Sequence, residues 1–292
     1  MNPSLENDQP PIEIRIPRYL FRYLRDNEFL EETIADPYLW FSSREHLNDP
    51  LDISNQITLQ CKASEYIKYL LENTGVSIDY AEEMARSLAV APDKGREIFE
   101  IIRSQFTDQM GICCFSYLHD SPLMWAHYAG AHTGLCLAVD AFELAEIFSF
   151  QEVEYTSRVK PWNLLGAEAK ALSTIEHHLA RDRAIFATKH LHWSHEREYR
   201  YLSKKIGMNS IPKQSILGLI FGSRMSPGRK VELQKIAYRR GIALFSESLI
   251  DQETGLVFTK WPANHIDVKV ANTYSYMFSD DDLGIKKENS SP

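Results

Sequence analysis

The chain has 292 residues, 44% hydrophobic and 11% aromatic, enough to bury a substantial core in one large domain or two small ones. Its formal net charge of −8 argues against a broad basic face for duplex nucleic acid, while a local basic groove stays compatible with it. No apolar run approaches the about 20 residues of a membrane span, and the start MNPSLENDQPP lacks the basic-then-apolar order of a signal peptide.

Four cysteines, Cys61, Cys113, Cys114 and Cys136, show no C-x-x-C spacing, so a zinc knuckle is not indicated. Cys113 and Cys114 are adjacent in an apolar run and on a strand point to opposite faces, which suits buried thiols and a reducing cytoplasm. The expected layout is a single domain over 12–278, with disordered tails at 1–11 and 279–292.

In chain order, Ile12–Ile16 alternates and predicts a strand, and after Pro17 the segment RYLFRYL alternates again. Residues 27–34 predict a short helix, Tyr38–Ser43 a strand and LNDP a turn. From Ala63 to Met110 the pattern is helical, broken at Thr74-Gly75 and Ala91-Pro92, with Leu70, Met84, Leu88, Ile98, Ile101, Ile102 and Phe106 as buried stripes. This stretch, about 60–110, reads as an inserted helical lobe. Gly111–Tyr117 predicts a strand, followed by a short helix with Ser121 as N-cap, Pro122 at its first position and Gly130 beyond its end. Gly134–Asp140 and Glu152–Thr156 predict strands, 165–191 a long helix, and Glu196–Ser203 another strand. Ser215–Gly222 is nearly all apolar and predicts a central strand, followed by a helix ending at Gly241 and late strands in IALFSES and LVFTK. Strands and helices do not alternate regularly, so the fold class is α+β with a mixed or antiparallel central sheet, flanking helices and the helical insertion.

No dinucleotide glycine fingerprint, phosphate-binding loop, zincin motif or nucleophile elbow is present. Four looser groups carry the chemistry. In SYLHDSPLMWAHYAG, Ser116, Trp125, His127 and Tyr128 combine flat rings with hydrogen-bonding tips, suited to a nicotinamide or nucleobase; the alternative is a helix packed on the sheet through Leu123, Met124 and Trp125. In HWSHEREYRY, a strand puts Glu196, Glu198 and Arg200 on one face, costly to bury unless they pair or bind something; the alternative is a solvated face. The same stretch offers His190, His192 and His195 with the glutamates as metal ligands, in a spacing that fits no standard site. Arg18 and Arg22, beside Tyr19 and Tyr23, suit a phosphate or pyrophosphate, or are ordinary surface charges. Asn48-Asp49-Pro50 is a turn.

The pieces LFRYL, FSSREHLNDPLD, CCFSYLHDSPLMWAHYAGAHTGLCLAVD, VEYTSRVKPW, KHLHWSHEREYRY and ILGLIFGSRMS occur in order. Together they resemble the bacterial and phage family of the domain of unknown function 2971, over residues 20–225. Leu47 departs from the family's phenylalanine before Asn48, and 60–110 matches no family motif. The layout is more distantly similar to ADP-ribosyltransferase-like folds. That resemblance implies NAD as substrate and no metal. It implies Glu198, His127 and Tyr128 as catalytic residues, with Arg22, Tyr23, Ser116, Trp125 and Arg200 holding NAD. It also implies an acceptor macromolecule or water, and a setting in bacterial conflict or phage defence. Three alternatives stay open: a nucleotide or single-stranded nucleic-acid module, a metal-dependent hydrolase, and a non-enzymatic interaction domain.

Overall fold

Runs with apolar residues at successive positions form strands covered on both sides. Leu135–Asp140 is buried at every position, and Ile216–Phe221 at all but Leu217. The computed structural model describes residues 12–53, 57–58, 62–73, 76–90, 107–158, 162–163, 174–242, 244–254, 257–258, 261 and 266–271. The expected tails, Cys61, the breaks at Thr74-Gly75 and Ala91-Pro92, and Ile98, Ile101, Ile102 and Phe106 lie outside these residues.

The fold is α+β, and the chain divides into two units that it visits in turn. The first comprises Met1–Ala35, Tyr117–Ile147 and Pro212–Ser275. Its sheet runs in the order Leu244–Glu247, Ile216–Phe221, Leu135–Asp140, Tyr19–Leu24, the first pair parallel and the others antiparallel. Asp140 ends its strand by accepting the N–H groups of Phe142 and Glu143, which caps the helix Ala141–Ala145, and it pairs with Arg18 at 2.9 Å. The helix Pro122–Tyr128 starts as the sequence predicts, with Ser121 Oγ accepting the Met124 N–H at 3.4 Å. After it, Gly130, Ala131 and His132 have φ of 57°, 52° and 70°, three left-handed residues in succession. This turn brings His132 and Gly134 against Gly222, whose N–H donates to the Gly134 carbonyl at 2.9 Å. The helix Pro227–Arg239 is capped by Ser226, and its Arg229 reaches Asp26, Glu31 and Glu232.

The second unit comprises Asp36–Ser116, Phe148–Ile211 and Tyr276–Pro292. In it Glu198–Ser203 pairs antiparallel with Gly111–Ser116 on one side and Ser149–Glu152 on the other. Tyr38–Phe41 and Gly207–Ser210 form an antiparallel ribbon, and Glu154–Thr156 pairs in parallel with Thr188–His190. Ile53, Met110, Ile112, Ile185, Phe186 and Leu202 make one core cluster. The helices Ala63–Asn73 and Ile78–Val90 pack through Tyr66, Leu70, Ala81 and Ala85, in keeping with the helical lobe.

Three boundaries differ from expectation. The long helix is Thr174–Phe186, because Thr188–His190 leaves it to pair as a strand with Glu154–Thr156. Glu152–Thr156 is two strands broken at Val153, whose N–H turns to the Glu198 carbonyl at 3.0 Å. The strand predicted from Glu196 begins at Glu198: Glu196 closes the 3-10 turn Leu191–Glu196, and Arg197 is left-handed at φ 44°. Among the described residues no helix is long and apolar enough to cross a membrane.

A methyl group on Gly222 would run into the carbonyl oxygens of His132 and Gly134, held by backbone on both sides. Gly222→Ala is therefore expected to cost about 2–4 kcal/mol, read as a lower urea midpoint.

Candidate functional site

A buried ionic cluster lies wholly within the second unit. Its centre is Arg200 on the Glu198–Ser203 strand, with no exposed surface. The guanidinium uses all five of its N–H donors. Nε and Nη2 reach the two oxygens of Glu198 at 2.8 and 3.0 Å. Nη1 and Nη2 reach the two oxygens of Asp52 at 3.0 and 2.6 Å, and Nη1 also donates to the Phe186 carbonyl at 2.8 Å. Both carboxylates are thus held in two-pronged fashion, the geometry that distinguishes arginine from lysine.

Lys189 is the second cation. Its Nζ donates to Glu196 at 2.6 Å and Glu198 at 3.1 Å, lies 3.5 Å from Asp52, and sits 4.8 Å from the centre of the Trp193 ring. The strand break before Glu198 makes this possible. The left-handed Arg197 turns the chain so that Glu196 and Glu198 both face Lys189. Backbone anchors fix the entrance to the strand. The Ser116 hydroxyl donates to the Glu196 carbonyl at 2.6 Å, and the Glu198 N–H donates to the Tyr155 hydroxyl oxygen at 2.8 Å.

Three carboxylates, Asp52, Glu196 and Glu198, face two cations, Lys189 and Arg200, so the cluster has one negative charge in excess. Burial pushes the Glu198 carboxyl up, but Arg200 and Lys189 outweigh it and hold it well below the usual carboxylate range. Burial likewise pushes the Lys189 ammonium down, and Glu198, Glu196 and Asp52 more than reverse this against the repulsion of Arg200. The Cys114 thiol is pushed up by burial and then by the Glu198 carboxylate, so it is no thiolate nucleophile.

Asp52 comes from the turn after Asn48-Asp49-Pro50. Asp49 shapes that turn by accepting the Leu51 N–H on its side chain at 2.9 Å and the Asp52 N–H on its carbonyl at 3.0 Å. The next residue, Ile53, is buried and has φ of 60°, a left-handed conformation that a β-branched residue adopts only under constraint.

Of the residues singled out from the sequence, Ser116, Glu196, Glu198 and Arg200 are brought together here. Asp52, Lys189, Tyr155 and Cys114 join them without having been singled out. The aromatic and early-strand candidates belong to the first unit, while His190, His192 and His195 lie in the second. Trp125 lies inside its core with no exposed surface, its indole N–H on the His119 carbonyl at 2.9 Å, meeting Tyr23 edge-on and His132 face to face. Tyr23 is buried and its hydroxyl donates to the Leu118 carbonyl at 2.9 Å. His127 is exposed, Tyr128 half-buried, and Arg22 half-buried opposite Leu137. Leu123 is exposed instead of packing beside Trp125. Among the described residues no group of histidine, cysteine, aspartate and glutamate side chains has metal-binding geometry. His190 and His192 instead meet edge to face at 4.4 Å, and the His192 N–H donates to His190 Nδ1.

Replacing Arg200 by Met leaves Glu198 and Asp52 buried with Lys189 alone to face them. A loss of about 3–5 kcal/mol is expected in urea unfolding. Acid has the same target. Glu198 titrates lower in the folded chain than in the unfolded one, so the unfolded chain takes up protons first. Its contribution is complete above the ordinary glutamate value of about 4.3 and falls away as pH drops toward the folded value. Urea midpoints measured against pH are expected to fall more steeply on the acid side in the wild type than in Glu198→Gln.

No curated protein and no solved structure matches the chain. Residues 124–201, running from the helix of Trp125 to the strand of Glu198 and Arg200, match the model of a protein family of unknown function, DUF2971, a narrower span than the motifs suggest but the same family.

Proposed function

We propose that the protein cleaves the nicotinamide–ribose bond of NAD and passes the ADP-ribosyl group to a macromolecule or to water. One observation carries this reading: Glu198 is a buried carboxylate held ionised in a cluster with net negative charge. When the C1′–N bond breaks, its electron pair leaves with nicotinamide and positive charge develops on C1′ and the ring oxygen. A fixed negative charge in a low-dielectric site stabilises that cation without reorganisation. The acceptor oxygen or nitrogen then bonds to C1′ and gives up its proton to solvent water. Arg200 and Lys189 are positioning residues here, keeping the carboxylate ionised and oriented. Ser116 positions the strand entrance through the Glu196 carbonyl. A cytoplasmic setting agrees with the reduced state of Cys113, Cys114 and Cys136.

A second reading rests on a different observation. Every Arg200 donor and both Glu198 oxygens are already engaged inside the protein. A cluster so complete also suits a structural tie in a non-enzymatic nucleotide-binding or interaction domain. Incubation with NAD separates the two. On the first reading the wild type releases nicotinamide, and Glu198→Asp, which keeps the charge but shortens its reach, stays folded and loses turnover by about 10²–10³-fold. Absence of nicotinamide release from the wild type excludes the first reading.

A further inference from the structure

We propose that Tyr155 is a ligand-contacting residue of the Glu198 site, donating its phenolic proton to a ribose hydroxyl that itself donates to the Glu198 or Glu196 carboxylate. The inference rests on the glycosyl-transfer reading above and names the group on the substrate that the site recognises. Three observations support it.

Tyr155 is paired with Lys189 in the register of the parallel strands, and its phenol feels the charges of Lys189 and of the two glutamates that share it. Its oxygen accepts the Glu198 N–H, which fixes the phenol at the entrance of the glutamate strand. That bond uses the oxygen as acceptor only. Among the described residues the phenolic proton has no acceptor, and the side chain is half-buried, where Glu196 and Glu198 are nearly covered. Tyr155 therefore combines an uncommitted donor with access from outside the cluster.

The chemistry this pairing recognises is specific. A carboxylate only accepts and this phenol has only a donor left, so a single group meeting both must donate and accept at once. An alcohol does so; a carbonyl, a phosphate oxygen or an ammonium group does not. A sugar hydroxyl beside the reacting carbon fits the pairing. Burial first, then the nearby carboxylates, push the phenol up from its ordinary value, so it stays a donor across the working pH range.

The test measures calorimetric binding of ADP-ribose, and of ADP-ribose deoxygenated at C2 of the terminal ribose, to the wild type and Tyr155→Phe. Loss of one such hydrogen bond corresponds to about tenfold in affinity. The expected result is about tenfold weaker binding of ADP-ribose by Tyr155→Phe, and no difference between the two proteins with the deoxygenated probe. Equal affinity of both proteins for ADP-ribose overturns the proposal, as does an undiminished loss with the deoxygenated probe, or failure of the wild type to bind ADP-ribose. Tyr155→Phe also removes the acceptor of the Glu198 N–H. Should it not fold, the wild type alone decides: the ribose hydroxyl makes two hydrogen bonds, so the wild type must bind the deoxygenated probe well over tenfold more weakly, about 10²-fold. Binding of ADP-ribose with this pattern, without nicotinamide release from NAD, leaves the Tyr155 contact standing and removes the glycosyl-transfer reading.

Discussion

Five hydrogen bonds leave one guanidinium, and their targets come from three separate passages of chain: Asp52 after the Asn48-Asp49-Pro50 turn, the Phe186 carbonyl at the end of a helix, and Glu198 on its own strand. Bringing a charge of this kind out of water costs several kcal/mol on its own. The cost is best offset when all partners are present together, which makes the cluster a cooperative condition on the second unit, each lost partner lowering its stability. The strained turn is part of that condition. Ile53 keeps its left-handed backbone because its side chain is packed in the core while the neighbouring Asp52 is gripped by two cations.

The cluster also sets what chemistry is within reach. Lys189 is surrounded by carboxylates and stays protonated, so it is unsuited to act as a base or to form an imine. Cys114 is held as a thiol. The ionised glutamate remains as the group with electrostatic work to do, and its partners fix it in one orientation. The aromatic cluster of the first unit has a different character. Trp125 there joins Phe21, Tyr23, Ala129, Cys136 and Ile220 in a packed core.

Much of the fold was legible because local patterns are strong where a strand is buried on both faces or a helix is capped. Ile216–Phe221 reads as an inner strand from apolar continuity, Leu135–Asp140 reads as a strand, and Ser121-Pro122 announces its helix directly. What was hidden depends on pairing across long separations. Thr188–His190 looks like the tail of a helix until Glu154–Thr156 offers it a partner. Glu196 looks like a strand residue until Arg197 turns left-handed, a conformation with no glycine to signal it. In the site, two carboxylates near an arginine could be found by spacing. Asp52 could not, because it lies 148 residues away from Arg200 in a stretch whose letters describe a turn. Lys189 was masked by the three histidines after it, which drew attention to metal binding.

The two-pronged grip of Arg200 on Asp52 bears on how this protein can change over evolutionary time. Loss of Arg200 leaves three buried carboxylates facing Lys189 alone, and loss of Asp52 leaves two Arg200 N–H donors without their acceptor, so neither residue changes without cost. Drift at these two positions is therefore expected to be correlated among homologues. Such correlated variation would register the turn and the strand as neighbours without any coordinates, from columns 148 positions apart.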